Sequence, residues 1–164
     1  GLASILFTAG VLVTGTIQTV LTPYLSEKQE DLLWVRQKTT RLQVLLIPFS
    51  FLLGIFLYAA VWGLIYFGFF QDYPNLLTFS IPMIIKYWIW SLFCVFGAAL
   101  FAIGIVKETL IFGSIVVLFN VVLSTTALYL YGPEYIIYCQ PIVVCVQLIA
   151  VIYIFIKKTQ AESF

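Results

Sequence analysis

The sequence predicts an all-α, polytopic integral membrane protein with five transmembrane helices, in a single membrane domain over residues 1–164. Three observations predict it. Charged residues make up 9% of the chain and hydrophobic ones 63%, against about 25% charged in soluble domains. A soluble globule could not cover so apolar a core, whereas lipid solvates one directly. Five apolar runs are each long enough to supply the roughly 20 helical residues that cross a bilayer core, and backbone in lipid must close its own hydrogen bonds, which a helix does. Finally, the charges gather between the runs: the stretch Tyr24 to Arg41 alone holds seven of the fifteen.

The first run, 2–25, carries no charge. Its small and polar residues Ser4, Thr8, Val11, Gly15, Gln18, Thr19 and Thr22 recur at helical spacing and share one face. Such a face lets helices approach closely and reads as a helix–helix seam; the alternative is a cavity wall with Gln18 reaching in. A charged loop, 26–41, follows.

The second run, 42–70, would span about 43 Å as helix, against a hydrocarbon core of about 30 Å. Tilt alone would have to reach roughly 45°, beyond the usual range. Part of this run, the turn before Pro48, is therefore expected in the headgroup zone or as a continuation of a loop helix, with Pro48 marking a kink.

After the polar turn Gln71-Asp72-Tyr73-Pro74-Asn75 comes the third run, 76–106, interrupted by Lys86. Trp88 and Trp90 follow that lysine, and tryptophan favours the membrane–water interface. The economical reading places Lys86 at the interface, with the core span over 89–106 and 76–85 half-buried. The other reading places Lys86 inside the core, where it must snorkel or find an anion, Asp72 and Glu134 being those on its side.

Lys107-Glu108 read as a tight turn before the fourth run, 109–131, which carries Asn120 and Ser124-Thr125-Thr126. Gly132-Pro133-Glu134 make the next turn. The fifth run, 135–156, holds Gln140, Pro141 and Gln147 and ends at Lys157-Lys158, before a short polar tail. The tyrosines at 129, 131, 135 and 138 crowd around the last turn as an aromatic belt.

Five spans put the 26–41 loop, the 107–108 turn and the tail on one side, with seven of the eight basic residues. Asp72 and Glu134 lie on the other. The positive-inside rule makes the basic side cytoplasmic or matrix-facing, so the expectation is an N-terminus outside and a C-terminus inside, in a plasma or organellar inner membrane. The chain opens on Gly1 rather than Met, and a preceding segment in the gene product is expected.

Several function classes are disfavoured. A net charge of +1 gives no reason to propose nucleic acid as a partner. Histidine is absent, which removes the commonest metal ligand, and no metal site or cofactor is expected. Cys94, Cys139 and Cys145 lie in apolar runs and read as small buried hydrophobes rather than a disulfide framework. No acid, base and nucleophile converge, so no enzyme is expected. Every acid maps to a loop, turn or tail, which argues against a pump coupled to protons or sodium through a membrane carboxylate. The amides Gln18, Asn120, Gln140 and Gln147, with Thr19, are the candidate cavity or helix-contact residues; they hydrogen-bond but exchange no protons near neutral pH.

The stretch GTIQTVLTPYLSEKQEDLL, residues 15–33, resembles the end of the second helix and the following loop of multidrug and toxic compound extrusion (MATE) transporters. Thr19, the pair Lys28-Gln29 and the pair Leu32-Leu33 carry the resemblance. Gly104-Ile105-Val106 is similar to that family's turn after its fourth helix, and Asn120 followed by Tyr131-Gly132 resembles related polysaccharide flippases. The resemblance covers most of the chain, as helices two to six or their equivalent in the second half. It implies part of one MATE-type helix bundle. The family's membrane glutamate, however, falls on Gln18, and its glutamine-rich fourth-helix end is replaced around Phe101-Ala102-Ile103. Two function classes follow. The first is a transporter-derived, non-catalytic accessory or structural subunit of a larger membrane assembly, partnered by the bilayer and other membrane subunits. The alternative is a half or fragment of an antiporter- or flippase-like exporter, partnered by a second transporter half and moving an amphipathic or lipid-linked solute by alternating access.

Overall fold

The computed structural model describes residues 2–70 and 72–160. Gln71, placed above in the second turn, and 161–164 of the tail, including Glu162, lie outside the described residues. Regular structure among the described residues is helical: α1 (Leu2–Ser26), α2 (Leu32–Tyr66), α3 (Leu76–Ser91), α4 (Cys94–Ala102), α5 (Val106–Tyr131) and α6 (Ile136–Gln160), with a 3₁₀ turn at Pro133–Tyr135. Counting α3 and α4 as one interrupted segment, five segments are long and apolar enough to cross a membrane. The chain is an all-α bundle of the class its composition predicts.

Helix ends follow local chemistry. Asp31 starts α2 by accepting the Trp34 N–H on Oδ1 at 2.9 Å, which satisfies one orphan donor of the first turn. Gly104 (φ +76°) and Gly132 (φ +100°) make the turns before and after α5, in a backbone region that side chains resist.

Two boundaries differ from expectation, those of the charged stretch and of the 107–108 turn, and the second run follows the expected alternative in which it continues a loop helix. The charged stretch 26–41 is mostly helix: only 27–31 is turn, and 32–41 is the first part of α2. α2 then runs through Pro48 without interruption to Tyr66. Its 35 residues measure about 52 Å at 1.5 Å per residue, more than a hydrocarbon core of about 30 Å, and the turns bearing Arg36, Lys38 and Arg41 make up the charged end of that length. Lys107 and Glu108 belong to the first turn of α5, and the chain reverses instead at Ile103–Ile105. There Glu108 pairs with Lys158 at 2.7 Å, fixing the start of α5 beside the end of α6.

The segment α3–α4 is the most enclosed of the five and forms the bundle axis. α1, α2 and α6 pack around it, and α5 packs outside α6. Toward the basic face, Leu25, Val35, Leu100, Ile154 and Phe155 form one core cluster. Toward the opposite face, Ala3, Val61, Leu76, Met83 and Ile84 form another. Leu46, Cys94 and Val95 pack between α2 and α4.

The seam on α1 is rotated from the predicted one. Its buried positions are Ala3, Gly10, Thr14 and Leu25, while Ser4, Thr8 and Thr19 are exposed. The physical reason is that hydroxyls satisfy themselves. Thr8 donates to the Ser4 carbonyl at 3.1 Å, Thr19 to Gly15 at 3.0 Å and Thr22 to Gln18 at 3.0 Å. A threonine bonded back to its own helix can face lipid, so it no longer marks the protein side. Close approach comes at Gly10, where an added Cβ would stand 2.5 Å from the Tyr87 ring. On α2, Gly54 makes the same kind of bed for the Trp88 indole.

The interruption between α3 and α4 has a specific cause. In an unbroken helix the Val95 N–H would bond the Ser91 carbonyl. Here the buried Gln43 side chain of α2 enters that gap. Its Nε2 donates to the Ser91 carbonyl at 2.9 Å, and its Oε1 accepts the Val95 N–H at 3.3 Å. Leu92 and Phe93 form the turn between, and the Ser91 carbonyl and the Val95 N–H both keep a partner.

Candidate functional site

Among the described residues, Lys86 is the charged side chain inside the interrupted segment Leu76–Ala102. It lies ten residues below Leu76 in α3, about 15 Å at helical rise. From 89 to the end of α4 at Ala102 is about 20 Å of helix, short of a core of about 30 Å, so a crossing that ends there starts near 83 and takes in Lys86. The Trp88 ring lies against Gly54 and stacks on Phe51, with centroids 4.7 Å apart.

Around Lys86 the bundle assembles a polar chain from two further helices and an aromatic ring from a third. Lys86 Nζ donates to Gln140 Oε1 on α6 at 3.0 Å. Gln140 Nε2 donates to Asn120 Oδ1 on α5 at 3.3 Å, and Ser124 Oγ donates to the same oxygen at 3.1 Å. On the other side the ammonium stands 4.2 Å from the centroid of the Phe7 ring of α1, close enough for a cation–π contact. Asn120 is eleven residues before the end of α5 and Gln140 four after the start of α6.

Asp72 and Glu134, the expected anions, are exposed at the rim, and neither forms an ion pair with Lys86; among the described residues the ion pair is Glu108–Lys158. Lys86 is therefore held by amide oxygen and an aromatic face, both electrically neutral. A carboxylate or phosphate brought to this depth would meet an ammonium and the donor groups of Gln140, Asn120 and Ser124.

A pocket of about 380 Å³ opens above this group at the face opposite the basic one, lined by Ala3, Ser4, Asp72, Asn75, Phe79 and Ile137 among others. It is built on α1, α3 and α6, the helices that supply Phe7, Lys86 and Gln140. Phe79 lies two helical turns above Lys86, about 10 Å, and Phe7 and Met83 belong to the apolar cluster between them. That cluster closes the pocket off from the lysine.

The other expected residues fall elsewhere. Gln18 meets α4: its Nε2 would stand 3.4 Å from a Cβ placed on Gly97. Thr19 is exposed and bonded to its own helix. Gln147 lines a separate groove between α5 and α6 with Gly113 and Ser114. Sequence reasoning brought Asn120 and Gln140 forward but missed their link to Lys86, and it missed Gln43 and Phe7. Gln43 was detectable as the lone amide in LQVLLIPFSF, though its place just after Arg41 made it look interfacial.

Among the described residues no group of three or more Cys, Asp or Glu is placed to hold a metal ion, and the three cysteines are free thiols. No protein-family model, curated protein or solved structure significantly matches the chain.

Proposed function

We propose that the chain is one helix bundle of an exporter- or flippase-like membrane transporter, in which Lys86 receives the anionic part of an amphipathic, lipid-linked solute. The observation that carries this reading is an ammonium about 15 Å from the end of its segment, bonded to Gln140 and faced by Phe7, with no carboxylate among the described residues paired to it. A charge at that depth costs several kcal/mol in insertion terms (about 2.5–3.5). A static bundle would gain by replacing it with an apolar residue, whereas a solute anion would supply the missing counter-charge in passage. A resident cation also repels cationic solutes, which narrows the substrate class to anionic or neutral ones. The resemblance of residues 15–33 to MATE transporters and the interrupted α3–α4 segment are in keeping with this reading, since interrupted helices recur at transporter substrate sites. By the positive-inside rule the basic face is cytoplasmic and the pocket above Lys86 opens outside.

The test is transport by the bundle reconstituted with its second half in liposomes, using an anionic lipid-linked sugar as probe. Wild type should move it and Lys86→Gln should not, with both proteins folded. Transport undiminished in Lys86→Gln, or none in the assembled wild type, would overturn the reading.

One observation favours the second reading, an accessory subunit. α5 packs chiefly on α6 and leaves Leu110, Val117, Leu118, Val121 and Val122 exposed, a continuous apolar face that suits another membrane subunit as well as lipid. Stable co-purification with a larger complex in mild detergent, together with indifference to Lys86→Gln, would support it.

A further inference from the structure

A second polar feature lies at the opposite end of the molecule and is independent of the Lys86 site and of the transport reading. A groove of about 650 Å³ runs along one face of α2, with Arg36, Gln37, Thr40 and Arg41 at its polar end and Leu33, Val44 and Leu45 as apolar wall. Arg36, Thr40 and Val44 form one row at four-residue steps, and Leu33, Gln37, Arg41 and Leu45 form the adjacent row. Arg36 and Arg41 take part in none of the ion pairs among the described residues. The neighbouring cations are differently engaged: Lys38 lies over the Tyr24 ring and Lys28 over Trp34. Beyond Leu45 the groove meets a second, apolar one between α1, α2 and α4, lined by Ile17, Leu21 and Phe49 and sharing Leu45 with the first. From Arg41 to Phe49 is eight residues, about 12 Å along the helix.

We infer that this continuous track is a binding site for an anionic phospholipid of the basic-side leaflet, its phosphate held by Arg36 and Arg41 and an acyl chain lying along Val44, Leu45 and Phe49. The placement follows from the helix length. The turns of α2 that exceed the hydrocarbon are those that carry the guanidinium groups, so they stand at headgroup level, and the wall below them is bare apolar surface: Val44 is 60% and Leu45 64% exposed. Guanidinium forks match phosphate oxygens two at a time. A lipid meets both halves of the track at once; a soluble anion meets only the upper half.

The experiment uses the full chain in phosphatidylcholine nanodiscs containing spin-labelled phosphatidylglycerol or spin-labelled phosphatidylcholine, and measures the fraction of each label motionally restricted by the protein. Phosphatidylglycerol should be preferred. Arg36→Gln with Arg41→Gln should weaken that preference about thirtyfold, at about 1 kcal/mol for each basic residue near the surface. The control Lys157→Gln with Lys158→Gln, on the same face but outside the groove, should leave most of it. Two measurements need no variant and stand even if the arginine variant does not fold: wild type must discriminate between the two labels, and millimolar inorganic phosphate must fail to displace the phosphatidylglycerol label. Absence of discrimination, displacement by free phosphate, or an equal loss in the lysine control would each overturn the inference, the last by showing a diffuse attraction of the whole basic face.

Discussion

The side-chain amide of Gln43 donates to the main-chain carbonyl of Ser91 at 2.9 Å, from one helix into the gap of another. With Val95 as its second partner, it replaces a single helical hydrogen bond at a point where both Gln43 and Ser91 are buried. Gln43→Leu keeps the volume and removes both bonds. Interhelical hydrogen bonds in membranes are worth about 0.6–1.7 kcal/mol, and two are lost, so the variant should be destabilised by roughly 1–3 kcal/mol. Thermal unfolding in mild detergent checks this; an unchanged midpoint would show that α3 and α4 part for some other reason.

Lys86→Met should separate stability from function. The substitution removes a charge whose presence at mid-span costs about 2.5–3.5 kcal/mol on insertion scales and puts a flexible apolar chain in its place. We expect folded-state stability to stay level or rise by about 1–2 kcal/mol, because some insertion cost is already offset by Gln140 and Phe7. Transport in the assembled protein should be lost. A variant that is both unstable and inactive would make Lys86 a structural residue only.

Glycine substitutions distinguish tight helix crossings from open ones. Gly10→Ala would place a methyl group 2.5 Å from the Tyr87 ring, and Gly54→Ala would place one against Trp88 Nε1. Each should cost about 1–3 kcal/mol as overpacking. Gly15→Ala and Gly63→Ala meet nothing within 4 Å and should be neutral or stabilising by about 0.5–1 kcal/mol, as alanine is the better helix former. Four parallel unfolding curves decide the matter.

The Glu108–Lys158 pair, 44% and 41% exposed on its two side chains, should matter little. Lys158→Gln is expected to change stability by less than about 1 kcal/mol, and the difference should shrink further in 1 M salt, where screening acts within about 3 Å.

Much of the fold was legible because bilayer thickness is a blunt ruler: each of the five apolar runs forms a helical segment long and apolar enough to cross. Side-chain phase and contact partners were less legible. Thr8 and Thr19 looked like contact residues, but a hydroxyl that bonds its own helix carries no information about its neighbours. Trp88 and Trp90 made Lys86 look interfacial, whereas the Trp88 ring fills the space over Gly54. The gap at Leu92–Phe93 could not be read locally at all, since its cause sits 48 residues upstream in Gln43. At the site, Asn120 and Gln140 stood out as amides in hydrocarbon; that they join Lys86 depends on how α5 and α6 rotate, which composition does not encode.

The gap between α3 and α4 divides the axial span into two stiff rods that share a universal joint. α4 is clamped by small residues, with Gly97, Ala98 and Ala99 all buried, and it stays with α1. α3 holds Lys86 and the floor of the outer pocket. Because the joint is closed by one amide instead of a continuous ladder, the direction of α3 relative to α4 is set from outside the segment, by the two hydrogen bonds of Gln43 and by the seating of Tyr87 on Gly10 and Trp88 on Gly54.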